Sequence, residues 1–313
     1  TIVRPQFLTT GNLGPVFLAT APLVLLAIGQ AFVLFGGHID LSVGSTVGFA
    51  AVVCGALLDD DPSRIVPVAL LALLAGAVIG AVNGIVTAVL GVPSFIVSLG
   101  MLLVVRGLIY VWTGGAPQSD IPDELTHLLL GTQLSGFATG SLAVVLVAVV
   151  VAWYLSSRSP FGRRLMLTGS GPEAARLAGL PVMRTIVGTF VLNGVFAAGV
   201  GVYYLAWNGS VRGDLGAGLE LVAIAAAVLG GVSLLGGRGR VSGAVGGALA
   251  LGLIFNILIL AGLPLEAQNV SKGLIIIAAA LVYERLRGGR RRRRRPGNPA
   301  PRPRQVVIDP IKT

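Results

Sequence analysis

The sequence predicts an all-α, polytopic transmembrane helical bundle, and three observations carry that reading. Of the 313 residues, 54% are hydrophobic and only 12% charged, against about 25% charged in a soluble domain, so a water-facing surface cannot be assembled from this stock. Apolar runs of roughly 17 to 25 residues, long enough to cross a hydrocarbon core, recur along the chain. The 45 glycines are dispersed through those runs rather than gathered in linkers, as in helices that approach closely in lipid.

Taken in order, spans are expected at 13–35, 41–58, 65–90, 94–112, 136–155, 185–207, 219–237, 241–263 and 268–286. The ninth is the weakest, since its strictly apolar part runs only from Gly273 to Val282, and Lys272 must snorkel to the interface. Orientation follows from the basic residues. With the C-terminus inside, segments 156–184 and 238–240 and the tail hold eighteen of the 23 Lys and Arg, while the opposite loops keep Arg4, Arg64 and Arg212. Those opposite loops also hold most of the acids, including Asp59, Asp60, Asp61, Asp120, Asp123, Glu124 and Asp214. Nine crossings in this orientation put Thr1 outside, so a tenth, upstream span is expected in the intact chain.

The net charge of +10 is concentrated at the end, with eleven basic residues between Arg285 and Lys312. Residues 1–289 therefore read as the membrane domain and 290–313 as a basic, Pro-rich tail that cannot bury apolar area and is expected to be disordered. Its arginines suit a stop-transfer block touching anionic lipid. They are not interleaved with the stacking aromatics of a nucleic-acid binder.

Catalytic patterns are missing. His38 and His127 do not sit at metal-ligand spacing, Cys54 has no second cysteine to pair with, and no Gly-x-Ser-x-Gly elbow occurs. The only lysines are Lys272 and Lys312, neither in a Walker phosphate loop. No metal site, cofactor or enzyme activity is expected, and any ATP hydrolysis belongs to another chain.

Polar groups inside the spans are the candidate path residues, because each needs a partner in lipid. Asn83, Ser98, Arg106, Asn193 and Asn256 form this set. Arg106 does not deprotonate, so it reads either as a structural donor to helix carbonyls or as a polar contact along a path, and an ion-coupled carrier loses its best titratable candidate. Gly76, Gly80 and Gly84 recur every fourth residue, on one helix face, for close packing within the chain or between chains.

The basic loop 156–184 carries the most local information. Ser170 is placed to cap a short helix, with Pro172 in its first turn and Glu173 near its positive end. Gly179 and Pro181 stop it after about two turns. Such a helix suits docking in the groove of a partner.

These residues resemble a known family. Glu173-Ala174-Ala175 followed by Gly179 is similar to the coupling motif of permeases in ATP-binding-cassette importers. Gly36-Gly37-His38-Ile39-Asp40-Leu41-Ser42-Val43-Gly44-Ser45 resembles the signature of the ribose, xylose and autoinducer permeases. Asn83-Gly84, Pro93 to Gly100, Arg106-Gly107, Thr113 to Gly115, Val228 to Gly239 and Lys272-Gly273 match in family order. The longer coupling consensus of other importers, with its Ile-x-Leu-Pro, is not reproduced.

The resemblance implies a permease that pairs as a homo- or heterodimer in a bacterial inner membrane. It would receive a monosaccharide from an extracytoplasmic binding protein, and two cytoplasmic ATPase subunits using ATP and Mg would drive it. Glu173, Ala174, Ala175 and Gly179 would form the ATPase contact, and Gly37, Asp40, Ser42 and Gly44 the family signature. His38 is closer to the xylose branch than the ribose branch and leans the solute toward a pentose, although it also suits a membrane interface. A branched-chain amino-acid permease is the nearest alternative, but its relatives lack the Ile39 to Ser42 signature.

Overall fold

The computed structural model describes residues 10–278 apart from 120, 132, 135, 136, 265 and 276. The basic tail and the last part of the ninth expected span lie outside the described residues. Those described form α1 (Thr10–Phe35), α2 (Val43–Leu58), α3 (Ile65–Val89) and α4 (Ser94–Thr113). After the short α5 (Asp123–Thr126) comes a two-residue hairpin, β1 (Gln133–Leu134) antiparallel to β2 (Phe137–Ala138). The rest is α6 (Thr139–Ser157), α7 (Pro160–Ser170), α8 (Pro172–Leu177), α9 (Val182–Asn208), α10 (Leu219–Leu229) and α11 (Val241–Leu260), with helix again over 266–275.

Among the described residues, six helices are long and apolar enough to cross a membrane, in α1, α3, α4, α6, α9 and α11. Two expected spans form shorter helices instead, α2 slightly and α10 by nearly half. The 41–58 run becomes the 16-residue α2, about 24 Å long. The 219–237 run becomes the 11-residue α10, about 16 Å long and well short of a hydrocarbon core of about 30 Å.

The causes of both breaks are local. At the end of α1, Gly37 takes φ +80°, and the His38 amide donates back to the Val33 carbonyl, closing the helix in the manner of a Schellman cap. Beyond α10, Gly231, Gly236, Gly237 and Gly239 all take positive φ, which glycine adopts at no steric cost. The apolar residues between these glycines, Val232, Leu234 and Leu235, follow a turn rather than a helix.

Packing centres on α9, which lies against α1, α2 and α3. Gly76, Gly80 and Gly84 form an intrachain seam: Gly76 meets the Gly194 carbonyl, Gly80 the Phe190 carbonyl, and Gly84 lies against Val187. The opposite face of α3 presents Leu70, Leu74 and Val78, each more than half exposed, as lipid-facing residues do. The bundle has two loop faces. One carries Arg158, Arg163, Arg164, Arg176, Arg184, Arg238 and Arg240; the other carries Asp59, Asp60 and Asp61, with Arg64 paired to Asp59 and Asp61 at 3.0 and 3.2 Å.

Candidate functional site

The break between α1 and α2 is held by a buried polar knot. Asp40 Oδ1 accepts the Ser42 amide at 2.9 Å and its hydroxyl at 2.7 Å, and Oδ2 accepts Asn193 Nδ2 at 3.0 Å. Asn83 Nδ2 donates to Ser42 Oγ at 2.8 Å, and Asn193 Nδ2 also reaches Gln30 Oε1 at 3.3 Å. All five side chains are 2% exposed or less. The Ser42 carbonyl then accepts the Thr46 amide and the Ser45 and Thr46 hydroxyls, starting α2. Two of the expected path residues, Asn83 and Asn193, thus sit in this knot with the signature residues Asp40 and Ser42. The third partner helix, α1 with Gln30, has no counterpart in the sequence reading.

Ser98 is buried and donates to the Ser94 carbonyl at 2.8 Å, while Ser94 Oγ accepts the Ile39 amide at 3.2 Å. The start of α4 is therefore pinned to the same break. Asn256 lies elsewhere, exchanging two 3.2 Å hydrogen bonds with Asn12 of α1. His38 is partly buried, its ring 6.0 Å from that of Phe190.

Arg106 acts on the turn that precedes α10. Its Nη1 donates to the carbonyls of Gly213 and Leu215, at 2.6 and 2.9 Å, so it satisfies backbone that no helix satisfies. The turn it holds sets the Gly216 carbonyl and the Glu220 carboxylate against Gly44. Gly44 is a signature residue because any side chain there would strike that turn. Replacing Arg106 with leucine leaves two carbonyls unpaired inside the bundle. The expected loss is about 3 kcal/mol of stability, read as a lowered thermal midpoint of the detergent-solubilised protein.

The two breaks meet the basic loop at one point. The Gly237 amide donates to the Phe35 carbonyl at 2.9 Å, Gly169 abuts that same carbonyl and Gly237, and Gly236 abuts Gly37. The loop itself holds two helices where one was expected. Ser159 caps α7 by accepting the Gly162 amide, with Pro160 next. Ser170 is not the cap of α8: it ends α7 and donates to the Met166 carbonyl at 2.8 Å. The extended Gly171 holds the capping position, its carbonyl accepting the Ala175 amide.

Leu165 and Thr168 root α7 in the bundle, whereas α8 projects from it. Ala175 faces inward; Glu173, Ala174, Arg176 and Gly179 are exposed, and Leu177 is 86% exposed. Glu173 and Arg176 pair at 2.9 Å across the exposed face, and Gly179 at φ +75° ends the unit with open space around it. Among the described residues, no three His, Cys, Asp or Glu side chains gather as metal ligands.

Comparison with known proteins gives this arrangement its family. A model described as "Branched-chain amino acid transport system / permease component" matches residues 12–280. The "Autoinducer 2 import system permease protein LsrC" of Enterobacter sp. (strain 638) is 38% identical over 286 residues, covering 91% of this chain and 82% of the relative. The protein of the same name from Escherichia coli (strain K12 / DH10B) is 38% identical over 283 residues, 90% of this chain and 82% of the relative. That of Salmonella paratyphi B is likewise 38% identical over 283 residues, 90% and 81%. No solved structure matches. A helical membrane bundle matched from its first helix to its last described one, with permeases as its relatives, is a transport component rather than an enzyme, and the chain belongs to this permease family.

Proposed function

We propose that the chain is the membrane-spanning permease subunit of an ATP-binding-cassette importer for a small polyhydroxylated solute, a monosaccharide or a sugar-like compound of pentose size. The observation that carries this reading is α8: a short helix anchored through α7, projecting on the arginine-rich face with Glu173, Arg176 and Leu177 exposed. That face is assigned to the cytoplasm by its arginines, where two ATPase subunits using ATP and Mg would grip the handle. An extracytoplasmic binding protein would deliver the solute to a pair of permease chains on the acidic side. ATP binding then closes the ATPases, the handle moves, and the bundle opens alternately to either side.

The family description names branched-chain amino acids. The Gly36 to Ser45 segment and the 38% identity to autoinducer 2 permeases favour a sugar-like solute over that alternative, and His38 favours a pentose. Proteoliposomes holding the chain, its ATPase subunits and its binding protein separate these readings by uptake of labelled xylose, ribose or leucine. Transport of sugar by the chain alone, with no ATPase present, would contradict the proposal.

A sharper check lies on the handle. Glu173→Arg and Gly179→Leu are expected to leave the protein inserted while uptake falls about tenfold or more, because a docking surface loses a charged contact and its open turn. Normal uptake by both variants would remove α8 from the ATPase contact.

A further inference from the structure

The segment 209–218 between α9 and α10 is non-helical and yet lies at membrane depth. It leaves the acidic face at Val211, which pairs with Gln118 beside Gly55 of α2. It then follows α2 to Gly216, whose carbonyl touches Gly44, about 16 Å further along that helix. From the arginine-rich face the depth is similar, since the whole of α10 is needed to return there.

Irregular backbone at such depth is tolerated only where protein covers it or where it lines water. One side of it is covered by α2 and α4, where Val211, Gly213 and Gly216 are buried; on the other side Arg212, Asp214, Ala217 and Gly218 are exposed, and Leu221 in the first turn of α10 is 56% exposed. Glu220 stands beside them. Its Oε1 accepts the Gly218 amide in an exposed hydrogen bond of 3.2 Å, while its Oε2 is buried against Gly44 with no hydrogen-bond partner among the described residues. The Oε1 of this carboxylate, beside the exposed Gly218, keeps a further lone pair, which has no use for a lipid tail but is a strong acceptor for hydroxyl donors.

Resting on the importer reading, we propose that residues 212–221 line the aqueous solute path, and that the Glu220 carboxylate accepts hydrogen bonds from the hydroxyl groups of the passing solute. Gly44 is side-chain-free to make room for that carboxylate. The half-helix α10 then has a purpose that a full span would not serve, since its early start exposes a turn at the level where a solute crosses.

The test uses the assembled importer in proteoliposomes, with Cys54→Ala as background and single cysteines replacing Ala217, Leu221 or, as a lipid-facing reference, Leu74. Each is treated with a charged, membrane-impermeant methanethiosulfonate. Ala217→Cys and Leu221→Cys are expected to react at least about tenfold faster than Leu74→Cys, since the reactive thiolate forms in water and not in lipid. In a second arm, Glu220→Gln is expected to lower uptake of whichever sugar the wild type takes up by about tenfold, with Glu220→Asp recovering part of the loss. Equally slow labelling at all three positions would place the turn against lipid or a dry second chain and overturn the path. Wild-type uptake by Glu220→Gln would overturn the role of the carboxylate. Labelling needs no turnover, so its outcome is independent of the ATPase contact that Glu173→Arg and Gly179→Leu probe.

Discussion

Gly80→Leu is expected to abolish the folded bundle. The seam between α3 and α9 is backbone against backbone: a Cβ at Gly80 would strike the Phe190 carbonyl, and one at Gly76 the Gly194 carbonyl. A leucine forces the helices apart over their whole contact, and neither helix has a side chain there whose rotation would relieve the clash. Overpacking of a close-packed interior costs about 1–3 kcal/mol when side chains yield, so against rigid backbone the upper end or more is expected. Fluorescence-detected size exclusion should show aggregate in place of a monodisperse peak. The matched controls are Gly100→Ala and Gly107→Ala on α4, where the added carbon has nothing within 4 Å. Those should be neutral or gain up to about 1 kcal/mol of helix propensity. Equal behaviour of the α3 and α4 variants would show that the seam is looser than described.

The second large effect belongs to Asp40. Asp40→Leu removes the acceptor of the Ser42 amide, the Ser42 hydroxyl and Asn193 Nδ2, all inside the bundle. A buried donor left without its acceptor costs about 1–3 kcal/mol, three are orphaned here, and the loss also frees the break between α1 and α2. Uptake is therefore expected to vanish together with a fall in thermal midpoint. Asp40→Asn keeps the shape and part of the accepting capacity, so it should fall between the two. A leucine variant with wild-type uptake would mean that the break needs no anchor.

How much of this was legible in the sequence differs from element to element. The long helices were, because a run such as Val182–Asn208 states its length and apolarity directly. The start of α2 differs by only two residues from the expected 41–58 run, but the shortness of α10 is not legible, for hydropathy cannot separate an apolar helix from an apolar turn: Val232, Leu234 and Leu235 weigh the same in either conformation. The glycines around that turn hold the missing signal, since the pairs Gly230-Gly231 and Gly236-Gly237 punctuate it. Gly179 and Pro181 marked the end of the handle correctly. Ser170 has the residue type of a cap but ends α7, because the Ser159-Pro160 pair begins a separate helix that runs up to it.

The site residues divide in the same way. Asp40 and Ser42 stood out as a motif, and Asn83 and Asn193 as amides inside apolar runs. That these four meet, with Gln30, depends on long-range packing of α1, α3 and α9 that no local pattern encodes. For Arg106 the sequence admits a donor to carbonyls or a path contact. The carbonyls it reaches belong to a turn more than a hundred residues away. Glu220 carries a signal of its own, an acid one residue inside an apolar run.

The meeting point of Phe35, Gly169 and Gly237 is made of main chain. Side-chain contacts absorb small movements by hopping between rotamers, but a contact between peptide groups offers no such slack. A shift of the surface helices by even an ångström would be passed undiminished to the ends of both interrupted helices, as through a joint without play. Removing the side chains from that spot trades adaptability for stiffness.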